Sequence, residues 1–315
     1  MVQTLIFRNG KIISSAKEVK SPGKKEISWT HLVKNESDIL DRIIRDIYDE
    51  NSIEHFKENL IERQRPGLLN FDSFSFASLS VPNKDMLIFD SKGSGLLQVS
   101  FIVTRGRIFS IASESTEAMG DVLKELKEVR LEENTVSCLF AHIIEDLIEY
   151  SIDIIESMKQ KIDLLQKQIM EKSQIKDMNI IYEQLENRKE ALFYSSKAVR
   201  ADIELIKDVG TGMGKYIGTS MFLSHVEDRF LYCFDLVETQ KESLDSTYDI
   251  YLGAQSNIMN RQIYKLSWLG AFLLIPTIVT SFFGMNVPLP VHSFWAVLAI
   301  TIIASIVFAI WIKMR

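Results

Sequence analysis

Residues 266–312 read LSWLGAFLLIPTIVTSFFGMNVPLPVHSFWAVLAITIIASIVFAIWI, and no Asp, Glu, Lys or Arg occurs between Lys265 and Lys313. Near the middle, Phe283-Gly284-Met285-Asn286-Val287-Pro288 is a polar, turn-prone interruption between two apolar runs. The runs, Leu266 to Phe283 and Phe294 to Ile312, are each about 18 to 20 residues. That is what an α-helix rising 1.5 Å per residue needs to cross a ~30 Å hydrocarbon core. Two spans joined by so short a loop must return to the side they left. Arg261 and Lys265 precede the first span, Lys313 and Arg315 follow the second, and the loop holds only His292. The positive-inside bias then makes this a multi-pass protein of the cell membrane, with its large N-terminal part and its C-terminus both cytoplasmic.

The rest of the chain bounds the function. Of 315 residues with net charge −6, removing Lys313 and Arg315 leaves −8 on residues 1–312. An acidic cytoplasmic part disfavours nucleic acid and suits cations. Cys138 and Cys233 have no CxxC spacing and read as buried, reduced thiols. Met1-Val2-Gln3-Thr4-Leu5 lacks the basic and apolar regions of a cleaved signal peptide.

Residues 1–115 read as an α/β domain. Strands are expected at Thr4–Phe7, Lys11–Ser14, Glu26–Trp29, Phe71–Leu79, Met86–Phe89, Gln98–Thr104 and Ile108–Ala112. Asn9-Gly10, Pro22-Gly23, Gly93-Ser94-Gly95 and Arg105-Gly106 separate them, and Ser37–Tyr48 has helical period. Strand signals then vanish. Across 116–219 a helical hairpin is expected, its first arm Leu139–Lys172 striped by Ile143, Ile144, Leu147, Ile148, Ile152, Ile155, Met158, Ile162 and Leu165. Its second arm, Ile180–Lys207, ends at the Gly210–Gly214 cluster.

A third helix starts near Ser220 and runs to the tripeptide, a cytoplasmic stalk (220–265) continuing into the first span (266–285). An external loop (286–293), the second span (294–312) and a tail (313–315) complete an α+β membrane protein. About 65 helical residues make a rod of roughly 95 Å, too long to stand without partners. From Asp249, steps of four and three residues give Gly253, Ser256, Asn260, Ile263, Ser267, Gly270, Leu274, Thr277, Ser281 and Gly284. That 3.5-residue repeat keeps one face toward a shared axis. Small residues at this spacing suit close helix packing. They equally suit a narrow, weakly polar pore lining with Ile263 and Leu274 as apolar constrictions. The pore reading requires an oligomer, because one hairpin encloses no water path.

Gly284-Met285-Asn286 between two C-terminal spans closely resembles the signature of the CorA family of divalent-cation channels. Asp249-Ile250-Tyr251-Leu252-Gly253-Ala254-Gln255-Ser256-Asn257 is similar to that family's stalk segment. Gln64-Arg65-Pro66 with Phe71 and Phe74, and Gln98–Thr104, are similar to its central strands. The resemblance implies a homopentamer with the first span inside and Gly284, Met285 and Asn286 as selectivity filter. It implies Mg²⁺, and in some members Co²⁺ or Ni²⁺, as the transported ion, with Mg²⁺ also regulatory and no other cofactor. The chemistry is coherent. Mg²⁺ holds its waters tightly, so carbonyls freed at the helix end and the Asn286 amide can accept from the hydration shell. The helix C-terminal dipole favours a cation at the same point.

Two departures stand out. The loop Val287-Pro288-Leu289-Pro290-Val291-His292 lacks the family's usual carboxylates, which weakens recruitment at the mouth. Counting back from Asp249, a stalk position usually acidic is His225, with Glu227 and Asp228 beside it, a set better suited to Zn²⁺, Co²⁺ or Ni²⁺ than to Mg²⁺. Gly210-Thr211-Gly212-Met213-Gly214-Lys215 lacks the first glycine and the Ser/Thr of a phosphate loop. The carboxylates Glu145, Asp146, Glu149, Asp153 and Glu156 read as a solvated helix face, and no catalytic constellation is present. Three readings follow: a divalent-cation channel, a zinc or other transition-metal transporter of the same architecture (a branch that usually has Ile where Met285 stands), and a non-transporting oligomeric scaffold or sensor. The expected partners are divalent ions, lipid and further copies of the chain.

Overall fold

Asn9 and Gly10 both take left-handed backbone, with φ of 52° and 74°. That is the geometry of a two-residue hairpin turn between right-twisted strands. It joins β1 (Gln3–Arg8) to β2 (Lys11–Ala16), and a Cβ at Gly10 would overlap the Leu131 carbonyl. The structure, a computed structural model, describes residues 2–33, 66–84, 95–112, 117–171, 175–212, 214–217, 221–285 and 293–314. The expected helix Ser37–Tyr48, the strand Met86–Phe89 and Asn286 lie outside the described residues.

The remaining strands are β3 (Ile27–Val33), β4 (Gly67–Asn70), β5 (Ser75–Pro82), β6 (Leu96–Val103) and β7 (Arg107–Ala112). They form one sheet in the order β2-β1-β3-β7-β6-β5-β4. Among the described residues every pairing is antiparallel except β3 with β7, where Ser28 faces Arg107 and Val33 faces Ala112. β3 and β5 are buried along their whole length, as expected of strands covered on both faces. Trp29 is fully buried and its indole N–H donates to Ser110 Oγ at 2.8 Å, joining β3 to β7.

One expected strand divides in two. Phe71–Leu79 reads as a single extended run, but Phe71 to Phe74 form a turn closed by Phe71 N–H donating to the Phe74 carbonyl at 2.9 Å. The two rings stack at 4.5 Å, so their apolar character serves the turn and not a strand. β4 precedes this turn and has no counterpart among the expected strands.

Among the described residues five helices follow: α1 (Glu117–Glu128), α2 (Val136–Glu171), α3 (Ile175–Gly210), α4 (Met221–Phe283) and α5 (Phe294–Lys313). All nine stripe residues of α2 from Ile143 to Leu165 are buried, and Phe140 meets Phe101 of β6 edge-on at 5.3 Å. Such an apolar stripe buries at roughly 1.5–3 kcal/mol per large side chain, which outweighs the helix's weak intrinsic stability. Both cysteines are free and buried. α3 ends at Gly210, and the Gly214-Lys215-Tyr216 segment docks on the β4–β5 turn through Asn70 Oδ1 and Ser75 Oγ. No strand runs into it, so it is not a phosphate loop.

By contacts the chain divides into Met1–Gln168 with Ile180–Tyr248, and Ile169–Asn179 with Asp249–Arg315. The first unit holds the sheet, α1 and most of α2 and α3. The second holds α5 and the part of α4 from Asp249 on. In that part of α4 and in α5, 0% and 6% of the most apolar 18-residue stretches are buried. Apolar helices so little buried in their own chain call for lipid or further copies as their solvent.

Candidate functional site

The first span has two distinguishable sides. Between Leu266 and Phe283 the half-buried residues are Trp268, Ala271, Ile275, Pro276, Val279 and Phe283, at helical spacing. They mark the side turned toward α5. Asp249, Gly253, Ser256, Asn260, Ile263, Ser267, Gly270, Leu274, Thr277, Ser281 and Gly284 are all exposed. At about 100° per residue, Ile263, Gly270, Leu274, Thr277 and Ser281 fall on roughly the opposite side from the α5 contact. One chain therefore leaves this entire face uncovered.

Local chemistry on that face is specific. A Cβ at Gly253 or Gly270 would meet nothing within 4 Å, so neither glycine is required by packing inside one chain. Thr277 donates its hydroxyl proton to the Leu273 carbonyl at 2.8 Å. Its oxygen then presents only lone pairs outward, the polarity that a hydrated cation's water protons seek. Pro276 has no N–H for the Phe272 carbonyl, and Thr280 donates to the Pro276 carbonyl at 2.8 Å within the same turn. The helix stops at Phe283. Gly284 N–H still reaches the Thr280 carbonyl at 2.9 Å, while Met285 is 55% exposed. Met285 N–H reaches the Phe282 carbonyl at 3.4 Å, and among the described residues no N–H pairs with the carbonyls of Gly284 and Met285, which lie past the end of the helix.

The expected stalk cluster is not assembled within one chain. His225 Nδ1 lies 3.1 Å from Glu145 Oε1 on α2, and Glu227 faces Lys207 of α3 at 3.8 Å. Asp228 is exposed. Among the described residues no group of three or more His, Cys, Asp or Glu side chains is placed to hold a metal ion. What sequence reasoning missed is a ladder one turn deep: His225 with Glu145, and Arg229 with Glu149. Spacings of four on both helices were a signal, but only the fold reveals which turns align.

Beside this ladder lies a crowd of carboxylates. Burial, reinforced by Glu125 and then by Glu145 and Glu149, pushes the Asp146 carboxyl up to about 8. Burial alone lowers His142 despite its neighbour Glu145. Asp202 is wholly buried, accepts from Ser80 N–H at 3.2 Å, and burial raises its carboxyl well above the usual range. Burial, then Asp202, pushes the Cys233 thiol up to about 12, which makes it an inert core side chain.

A seven-stranded α/β unit, a helix continuing into an unburied apolar span and a second apolar helix define a two-span membrane protein with a large soluble part. The family model described as CorA-like Mg2+ transporter protein matches residues 24–314. The chain belongs to that family, a family of divalent-cation transporters. It is 21% identical over 263 residues to the cobalt/magnesium transport protein CorA of Thermotoga maritima, covering 80% of this chain and 72% of the relative. The complete CorA magnesium transporter structure from Methanocaldococcus jannaschii superposes with TM-score 0.75 at 17% identity, covering 100% of this chain and 98% of that one. The ZntB cytoplasmic domain from Vibrio parahaemolyticus gives TM-score 0.55 at 13% identity, with 83% and 98% covered.

Proposed function

We propose that this protein is a divalent-cation channel that passes Mg²⁺ across the cell membrane down its electrochemical gradient. It works as a homopentamer, with both termini cytoplasmic and segment 286–293 outside. The observation that carries the proposal is the face from Asp249 to Gly284: exposed throughout, rich in small and hydroxyl side chains, and turned away from α5. Copies meeting along it would enclose a path. Ile263 and Leu274 would form apolar constrictions in that path, and the helix end would supply a ring of carbonyl oxygens. Gly284, Met285 and Asn286 are the filter, and they favour a hydrated ion because neutral oxygens address its water shell without stripping it.

The test is flux of Mg²⁺, Co²⁺, Ni²⁺ and Zn²⁺ into proteoliposomes holding the full chain. Asn286→Ala should abolish selective divalent uptake with the oligomer intact. Wild-type flux in that variant overturns the filter assignment. Uptake of Zn²⁺ to the exclusion of Mg²⁺ would favour the transition-metal reading to which His225 lends chemistry.

A further inference from the structure

A groove of about 800 Å³ separates the two spans on the side away from the exposed face. Tyr264, Trp268 and Phe272 of α4 form one wall, and Ile302, Ile306 and Ala309 of α5 the other. Two hydroxyls of α5 also reach it. Thr301 donates to the Val297 carbonyl and Ser305 to the Thr301 carbonyl, each at 2.8 Å, so both protons are engaged within α5. Apart from the Tyr264 hydroxyl and the Trp268 indole N–H, the walls therefore offer an anion or a headgroup no side-chain donor, and the interior suits hydrocarbon.

One end of the groove is different. Lys265 lines a depression continuous with it through Tyr264, Trp268 and Phe272. Arg261, Lys265, Trp268 and Phe272 follow at steps of four, three and four, the spacing that keeps side chains on one helix face. Two cations thus precede an aromatic pair and an apolar slot in register. Lys313, which ends α5, follows groove residue Ile310 by less than one turn. Cations at the membrane interface, an aromatic belt and an apolar cleft between spans together match an anionic phospholipid.

We propose that this groove is a binding site for one anionic phospholipid, an acyl chain lying between α4 and α5 and the headgroup phosphate held by Lys265 and Arg261. The site rests on the two helices crossing a bilayer, but not on which ion the protein carries. It would couple the position of α5, and so the freedom of the first span, to the lipid of one leaflet.

Trp268 reports on the site directly. The full chain is reconstituted in phosphatidylcholine vesicles containing a minor fraction of phosphatidylglycerol, with bromine on the acyl chains of one lipid or the other. Two variants are compared, Trp295→Phe/Trp311→Phe, which keeps Trp268, and Trp268→Phe/Trp295→Phe, which keeps Trp311. Trp29, wholly buried in the sheet, is present in both. Two interfacial cations should favour the anionic lipid on the order of tenfold, so brominated phosphatidylglycerol should quench Trp268 far beyond its share of the bilayer. Trp311 should follow bulk composition. Arg261→Gln/Lys265→Gln should remove the preference, and Ala309→Phe, which fills the slot, should reduce quenching of Trp268 alone.

Equal quenching of Trp268 by both lipids, in proportion to their abundance, overturns the site. Quenching of Trp311 without any of Trp268 means that a second copy covers the groove, and also overturns it. If neither tryptophan is quenched, the helices are not in the bilayer and the membrane reading falls with the site. Divalent flux in the same vesicles is a separate readout: lost flux with preferential quenching retained would refute the channel and leave the lipid site standing.

Discussion

Replacing Gly270 separates the readings of the exposed face. In one chain a Cβ at Gly270 meets nothing within 4 Å, and the residue sits inside a helix. Glycine there costs about 0.8–1 kcal/mol relative to alanine, and leucine is nearly as good a helix former. Considered alone, the chain should therefore gain roughly 1 kcal/mol from Gly270→Ala, and a similar amount from Gly270→Leu. Any penalty must come from other copies. If the face lines an ion path, each chain of Gly270→Leu adds an isobutyl group at one level of that path, just below the Leu274 ring. Flux into proteoliposomes should disappear while the oligomer persists in size-exclusion chromatography and its Tm holds or rises. Gly270→Ala should reduce flux without abolishing it. Wild-type flux in an intact Gly270→Leu oligomer would refute convergence of this face on the path. Dissociation would mean that the face is a packing seam.

Other outcomes follow from the same geometry. Leu274→Ser or Ile263→Ser should wet an apolar constriction and raise resting conductance, so unchanged single-channel conductance and open probability in both would remove these residues from the gate. If Mg²⁺ bound at the stalk inhibits flux, His225→Asp, which sets a carboxylate against Glu145, should make that inhibition more sensitive; coincident Mg²⁺ dose-response curves would make His225 an ordinary surface residue. Asp146→Asn concerns pH. The native carboxyl holds its proton up to about 8, against 3.8 as the ordinary value, so between those limits the folded state binds a proton that the unfolded chain has lost. Its contribution to stability thus falls as pH rises from about 4 to 8 and is level above, and Asn abolishes that fall. The variant's Tm should match the parent's at pH 4 and exceed it at pH 8, by about 2–4 °C for each kcal/mol. An equal difference at both pH values would refute the assignment.

Much of this molecule is legible in its sequence where one physical effect dominates. The α2 stripe is a single period sustained over several turns, and every residue of it is buried. The end of α4 at Phe283 follows from glycine after an apolar run, and the Asn9-Gly10 turn from two residues that tolerate positive φ. α1 was equally readable, with Ala118, Met119, Val122, Leu123 and Leu126 buried at helical spacing, yet it reads from sequence only as the place where strands cease. The β4–β5 turn misleads because aromatic residues favour strands in general, whereas Phe71 and Phe74 pack on each other. The partners of His225 and Arg229 were hidden for another reason. Which turns of α2 and α4 align depends on packing of the whole unit, and no local pattern encodes it.

The parallel pairing of β3 with β7 has a consequence for biosynthesis. β1 to β3 form one antiparallel run and β4 to β7 another, and among the described strands β3 with β7 joins them. His31 and Ser110, hydrogen-bonded across that joint, are 79 positions apart in the chain. While a ribosome makes the intervening segment, β3 waits with an open edge, a template for any extended strand nearby. Closing so long a loop is the entropically slow step of the topology. Substitutions that weaken the joint, such as proline at Thr30 or Phe109, should therefore act through yield and aggregation during synthesis before they alter any property of the finished protein.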